Sequence, residues 1–163
     1  MLDDARLARI IRRCRDLPGE ELFTYVDETG SVTSVGSEDV NYYLRELAGD
    51  DFSAKDFRTW IGTVECIGAL GEPAEHAQQA KSNIASALEC VAARLGNTPA
   101  ICRKAYVHPV VLETYVASLR LPAARPEAKR SRRGLSARER FALRFVERWE
   151  RARRSDVDVT GTI

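Results

Sequence analysis

One segment near the middle of the chain combines residue types that could attack and hold a phosphate. Residues 95–106 read LGNTPAICRKAY, in which Asn97, Arg103 and Lys104 precede Tyr106. Tyrosine is a weak nucleophile at its ordinary pKa of about 10. It becomes effective where cations stabilise the charge that develops on an attacked phosphate, and an amide can add a neutral hydrogen bond. The same residues are also compatible with a structural role, in which the tyrosine packs on the core and the asparagine ends a helix. This segment alone therefore leaves both interpretations open.

A second segment, residues 55–60, could supply a phosphate-binding cation. It reads KDFRTW, and on a helix the three-residue spacing places Lys55 and Arg58 on one face. Phe57 and Trp60 share a different face, which can dock on a core. A guanidinium held at a fixed place on such a helix is suited to bidentate binding of a phosphate. The alternative interpretation is the start of an ordinary amphipathic helix.

The two segments occur together and in a particular order. KDFRTW followed by LGNTPAICRKAYVHP closely resembles the type IB DNA topoisomerases of bacteria, which are relatives of the poxvirus enzyme. The likeness also covers LARIIRRCRDLPGEELFTYVD and VNYYLRELAGDDFSAKDFRTW, so it extends over about residues 5–118. These strings are long and specific, and they favour the functional interpretation of both segments.

The resemblance implies a reaction and a role for each matched residue. In that family a tyrosine attacks the DNA backbone and forms a 3′-phosphotyrosyl link, the free 5′-hydroxyl end swivels to relax supercoils, and the strand is resealed without ATP, metal or any other cofactor. Tyr106 would be the nucleophile, Arg58 would clamp the scissile phosphate, and Asn97 would donate a further hydrogen bond. The predicted DNA-binding cations are Lys55, Arg103 and Lys104. The predicted partner is double-stranded DNA, with no metal site, no membrane and no oligomer expected.

The chain also departs from the family pattern. The resemblance implies an arginine and a general-acid lysine that precede every residue matched here, the lysine in a β-hairpin. We expect an amino-terminal half to be missing and to be a partner of this chain. A positioned general acid typically contributes a factor of about 10²–10⁴ to the rate, so this polypeptide alone is expected to be weakly active or inactive.

Two alternative functions remain. A tyrosine recombinase would share the fold and the tyrosine chemistry, but it usually has a histidine three residues before the arginine, where this chain has Lys55. A non-catalytic, DNA-binding remnant would rely on the basic carboxy-terminal segment instead.

Charge is distributed unevenly along the chain. Residues 1–119 hold 12 Lys/Arg against 18 Asp/Glu, a net charge of −6, whereas residues 120–154 hold 13 against 4, a net charge of +9. Such an appendage can meet a polyanion, and we expect it to contribute weak, non-specific DNA affinity. The four cysteines are widely spaced, which favours reduced thiols and a cytoplasmic location. A DNA partner implies association with the nucleoid.

The hydrophobic pattern predicts a mainly α protein, the helical part of the type IB topoisomerase and tyrosine recombinase catalytic fold, with at most a short β-hairpin near residues 21–35. Residues 1–119 are predicted to form the carboxy-terminal part of the topoisomerase catalytic domain, and 120–135 a basic linker. Residues 136–154 are predicted to form a basic amphipathic helix and 155–163 a disordered tail. The apolar face of that helix should dock on protein; it comprises Phe141, Leu143, Phe145, Val146 and Trp149.

Overall fold

The computed structural model describes residues 5–16, 20–49, 52–122 and 134–160, the last six of these as backbone only. The described residues form helices and one two-stranded antiparallel sheet, which confirms the predicted fold class. In chain order the elements are α1 (Ala5–Arg15), β1 (Thr24–Val26), β2 (Val32–Ser34), α2 (Ser37–Ala48), α3 (Ala54–Ala69), α4 (Ala77–Leu95), α5 (Pro99–Ala105), α6 (Pro109–Ser118) and α7 (Ala137–Thr160).

The chain divides into two compact units, residues 1–54 and 55–163. In the first unit, β1 and β2 pair in register through Tyr25 and Thr33. Their connection is tight because the Asp27 carboxylate accepts hydrogen bonds from the backbone N–H groups of Thr29 and Ser31, at 2.8 and 2.9 Å. The short hairpin therefore lies within the residues predicted for it.

The second unit contains the hydrophobic core. Five residues are buried almost completely: Cys66 of α3, Leu70 just after that helix, Val91 of α4, and Val110 and Val111 of α6. The buried positions within α3 and within α4 recur every three or four residues, so each of these two helices turns one apolar face inward.

A buried tyrosine ties α6 to the rest of this unit. Tyr115 is fully buried, and its hydroxyl donates to the Glu72 carbonyl at 2.7 Å and accepts from the Asn83 amide at 2.8 Å. Both hydrogen-bonding capacities of the phenol are thus used, as burial of a polar group requires.

Helix α7 packs on this core through four of the five residues predicted for its apolar face, all except Leu143. Ala142 is fully buried, and Phe141, Phe145, Val146 and Trp149 pack against the core residues. Ser136 and Glu139 form a reciprocal cap at its start, since Ser136 N–H donates to the Glu139 carboxylate and Glu139 N–H donates to the Ser136 hydroxyl. The prediction that this helix docks on protein is confirmed.

The boundaries of the predicted segments differ from those in the structure. The division at residue 54 falls inside the segment predicted as 1–119. Helix α7 runs to Thr160, beyond residue 154 where the predicted basic helix ends, and the disordered tail stays a prediction. No glycine or proline interrupts the sequence between Ala137 and Gly161, which explains the longer helix. Most of the predicted linker (123–133) and the last three residues lie outside the described residues.

The described part of the chain shows neither a membrane-spanning helix nor a cluster of metal-ligating side chains. None of its helices is sufficiently long and apolar to cross a bilayer. Likewise, its His, Cys, Asp and Glu side chains form no cluster that could hold a metal ion.

Candidate active site

Tyr106 lies at the carboxyl end of the short helix α5. Thr98 caps the start of this helix through its side-chain oxygen, and Pro99 occupies the first turn, where a missing N–H costs nothing. Tyr106 N–H donates to the Cys102 carbonyl at 2.9 Å and is the last backbone group of the turn. The tyrosine is only partly buried. The backbone of Tyr106 is therefore anchored at the end of α5, while the residue remains partly accessible to solvent.

Arg58 reaches the tyrosine from α3. Its guanidinium carbon lies 4.8 Å from the centroid of the Tyr106 ring, within the range of a cation–π contact. Its Nη2 donates to the Leu95 carbonyl at 2.9 Å, whereas its Nε is buried without a hydrogen-bond partner in the protein. A buried donor left unpaired is unusual and costs about 1–3 kcal/mol. The guanidinium thus has unused capacity to bind an anion.

The side chains of Asn97 and Arg58 share one backbone acceptor, the carbonyl of Leu95. Helix α4 ends at Leu95, and Gly96 adopts a left-handed backbone conformation with φ 62°, which suits glycine. The Asn97 side-chain amide lies 3.4 Å from the Leu95 oxygen, to which Arg58 also donates. Arg58 thus joins the Tyr106 ring to the carbonyl that Asn97 also contacts, although it is about 40 to 50 residues from either of them in the sequence.

The three other predicted DNA-binding cations are surface residues near the ends of α3 and α5. Lys55 lies in the first turn of α3, and Arg103 and Lys104 lie in the last turn of α5. All three side chains are exposed. Cations in the last turn also complement the negative end of the helix dipole, so Arg103 and Lys104 have a local stabilising role besides any ligand they bind.

Sequence reasoning missed the side of α3 that holds the tyrosine segment. The Thr63 hydroxyl accepts the backbone N–H of His108 at 3.0 Å, and the Thr59 hydroxyl lies 3.3 Å from the Ala105 carbonyl. Between them, Gly62 is so close that an added Cβ would lie 2.3 Å from the Tyr106 carbonyl oxygen. Residues 59, 62 and 63 share one helical face. A glycine in mid-helix, next to Thr63 and three residues after Thr59, was the only indication of this contact in the sequence.

The chain also matches proteins of known family. The model for the family described as "Eukaryotic DNA topoisomerase I, catalytic core" matches residues 2–130. The chain belongs to this type IB topoisomerase family. It is also similar to DNA topoisomerase 1B of Acanthamoeba polyphaga mimivirus, with 34% identity over 114 residues, which cover 64% of this chain and 34% of that relative. The matched part thus spans about a third of the length of the viral protein.

The family match includes every residue of the candidate site. Arg58, Asn97 and Tyr106 all lie within residues 2–130, whereas α7 lies beyond them. The topoisomerase catalytic core thus supplies α3 to α6, and the site is built where α3, the end of α4 and the end of α5 meet.

The nearby thiol does not compete with the tyrosine as a nucleophile. Cys102, one turn before Tyr106, is fully buried. Burial raises the pKa of the Cys102 thiol, and the nearby positive charge of Arg58 opposes this rise without cancelling it. Because the thiolate is the reactive form, Cys102 is a packed residue and not a candidate nucleophile.

Proposed function

We propose that this chain carries part of the active site of a type IB DNA topoisomerase, with Tyr106 as the nucleophile. The Tyr106 oxygen attacks a backbone phosphorus, the bond from phosphorus to the 5′-oxygen breaks, and the DNA is left joined to the protein through a 3′-phosphotyrosyl bond. The tyrosine loses its proton, and the leaving 5′-oxygen gains one. Return of the 5′-hydroxyl reverses both changes, so the reaction needs neither ATP nor a metal.

The convergence of Arg58, Asn97 and Tyr106 carries this proposal. In the absence of DNA, two donors are directed at the neutral Leu95 carbonyl, and one of these contacts is long at 3.4 Å. A phosphate oxygen carries negative charge and forms stronger, charge-assisted hydrogen bonds. A bound phosphate can therefore replace the carbonyl as the acceptor for both side chains and engage the unpaired Nε of Arg58.

The surrounding charges fit a DNA ligand. Lys55, Arg103 and Lys104 are exposed near the ends of the helices that carry Arg58 and Tyr106. We propose that they bind phosphates on either side of the cleaved bond. Exposed cations on α7 (Arg144, Arg148 and Arg151) would add the non-specific affinity expected for the basic segment.

The reaction also needs a proton donor for the leaving oxygen. We assign that role to none of the 163 residues, because the resemblance places the family's lysine before the matched region. We therefore propose that this polypeptide cleaves ordinary DNA slowly when it is tested alone. A substrate whose leaving atom needs no proton should bypass this deficit.

The experiment is transfer of a label from DNA to the protein. The substrate is a duplex labelled at the 5′ end of the cleaved strand, with sulfur in place of the bridging 5′-oxygen, because a thiol leaves as its anion at neutral pH. We expect labelled protein that survives denaturation, formed faster than from the all-oxygen duplex. Binding of the duplex without any label transfer would support the non-catalytic, DNA-binding alternative instead.

Gly62 provides a test of the geometry. In Gly62→Ala, the new Cβ would lie 2.3 Å from the Tyr106 carbonyl oxygen, so the tyrosine segment must move away from α3. A displacement of about 1 Å at a reacting group can cost about 10²-fold in rate, and we expect a loss of this size in label transfer.

Gly68→Ala is the matched control in the same helix. Its Cβ would meet only the flexible end of the Arg138 side chain, at 2.7 Å, and both substitutions gain about 1 kcal/mol of helix propensity. Equal label-transfer rates for the two variants would show that the contact between Gly62 and Tyr106 does not position the nucleophile.

A further inference from the structure

Helix α7 lies outside the region that the family model matches, yet it is attached to the helix that holds the tyrosine. Near its start, Arg138 lies 3.8 Å from Glu65 of α3. Hydrogen bonds from Ser136, and a weaker one from the Trp60 indole of α3, hold the pKa of Glu139 below its ordinary value. The amino-terminal turns of α7 are thus joined to α3 by polar contacts as well as by apolar packing.

Farther along, α7 contacts the chain just after the tyrosine. The rings of Trp149 and His108 are 5.4 Å apart, centroid to centroid, and inclined at 84°, the edge-to-face geometry that aromatic pairs prefer. Arg153 lies over the Trp149 ring at 5.3 Å from its centroid. The Trp149 indole therefore contacts both Arg153 of its own helix and the ring of His108.

His108 is a fixed point for the tyrosine segment. Its backbone N–H donates to the Thr63 hydroxyl at 3.0 Å, and its Nδ1 accepts the Val110 N–H at the start of α6. It follows Tyr106 by two residues, and Val107 between them is buried. A shift of His108 would therefore disturb one of three things: the backbone between His108 and Tyr106, the hydrogen bond to Thr63 of α3, or the hydrogen bond that caps the start of α6.

We propose that α7 is a positioning element for Tyr106, in which Trp149 acts through His108. Helix α3 holds the tyrosine segment on one side through Thr63 and Gly62, and Trp149 holds its carboxyl end on another. The catalytic consequence rests on the proposed function, but the structural claim does not. Residues beyond the matched topoisomerase core thus complete the support of the nucleophile.

Native cysteines allow this claim to be tested in the whole chain without DNA. Cys102 is buried in α5, one turn before Tyr106, and Cys66 is buried in α3, where burial raises the pKa of its thiol to about 12. After the accessible Cys14 and Cys90 have been blocked, alkylation of Cys102 reports local opening of the tyrosine segment. Alkylation of Cys66 reports loosening of the core.

We expect Trp149→Ala to raise the alkylation rate of Cys102 relative to that of Cys66 by about two- to tenfold, the size expected when an aromatic edge-to-face pair is lost. Phe145→Ala is the control, because Phe145 packs on the same core and stacks on Phe141. It should change both cysteines in the same proportion. Trp149→Phe, which keeps an aromatic edge, should restore most of the Cys102 protection.

His108→Ala tests the same contact from the other side and decides the matter if Trp149→Ala does not fold. We expect a selective rise at Cys102 there too, with little further rise in the double variant. Equal rises at Cys66 and Cys102 in these variants would overturn the proposal and leave α7 as a general cover for the core.

Label transfer from DNA then separates this proposal from the proposed function. A selective rise at Cys102 together with slower label transfer supports both. If Cys102 alkylation rises selectively in the variants but the wild-type protein accepts no DNA label, the function proposed for Tyr106 is refuted. The positioning role of α7 is not.

Discussion

Tyr106→Phe is expected to abolish transfer of DNA to the protein altogether. The substitution removes one oxygen atom and keeps the ring that lies against Arg58, 4.8 Å from its guanidinium carbon. Because that oxygen forms the covalent bond in the proposed reaction, no slower route to the same adduct remains. Duplex affinity and melting temperature should be almost unchanged. Label transfer from the phosphorothiolate duplex, followed by denaturing electrophoresis, measures the effect.

Tyr115→Phe is the matched control, since it removes the same atom from a tyrosine outside the site. The Tyr115 hydroxyl is buried and bonded to Glu72 and Asn83, so its loss should destabilise the fold by about 1–3 kcal/mol. Below the melting transition this variant should still take the label. A Tyr106→Phe protein that is labelled as well as Tyr115→Phe would remove Tyr106 from the mechanism.

Arg58→Ala is expected to lower the rate of label transfer by about 10²–10³-fold at saturating DNA. Loss of one preorganised donor to a developing negative charge typically costs this much. Arg58→Lys should recover little, because an ammonium group cannot replace the bidentate guanidinium or its contact with the Tyr106 ring. Single-turnover rates over a series of DNA concentrations separate this loss from weaker binding.

Arg94→Ala controls for the loss of a positive charge in the same unit. Arg94 is exposed and lies 4.0 Å from Glu65, so its removal should scarcely affect either stability or cleavage. If Arg58→Ala lowered only the affinity for DNA, with an unchanged rate at saturation, then Arg58 would be a binding residue and its assigned role at the transition state would be wrong.

Local sequence determines much of the helical framework. Pro99 after Thr98 marks the start of α5, Gly49 and Gly96 mark the ends of α2 and α4, and the apolar spacing of α7 predicts which face docks. These features depend on residues within a turn or two of each other. The end of α7 is harder to predict than its start, because Ser155 to Thr160 have weak helix propensities, yet no residue there stops the helix.

The site was only partly predictable. The residue types and the resemblance singled out Arg58, Asn97 and Tyr106, and the structure brings them together. The sequence could not reveal that Arg58 and Asn97 share the Leu95 carbonyl, because such a contact depends on how α3 packs beside the end of α4. The same holds for Gly62 and Thr63, whose partners lie about 45 residues farther along the chain.

The most direct test of the central claim is to find the residue that carries the DNA. The wild-type adduct is digested with a protease and a nuclease, and the peptide bearing the remaining nucleotide is sequenced by mass spectrometry. We predict a phosphotyrosyl bond at Tyr106, in the peptide that begins after Lys104. A nucleotide on any other residue, or an adduct that persists in Tyr106→Phe, would contradict the account.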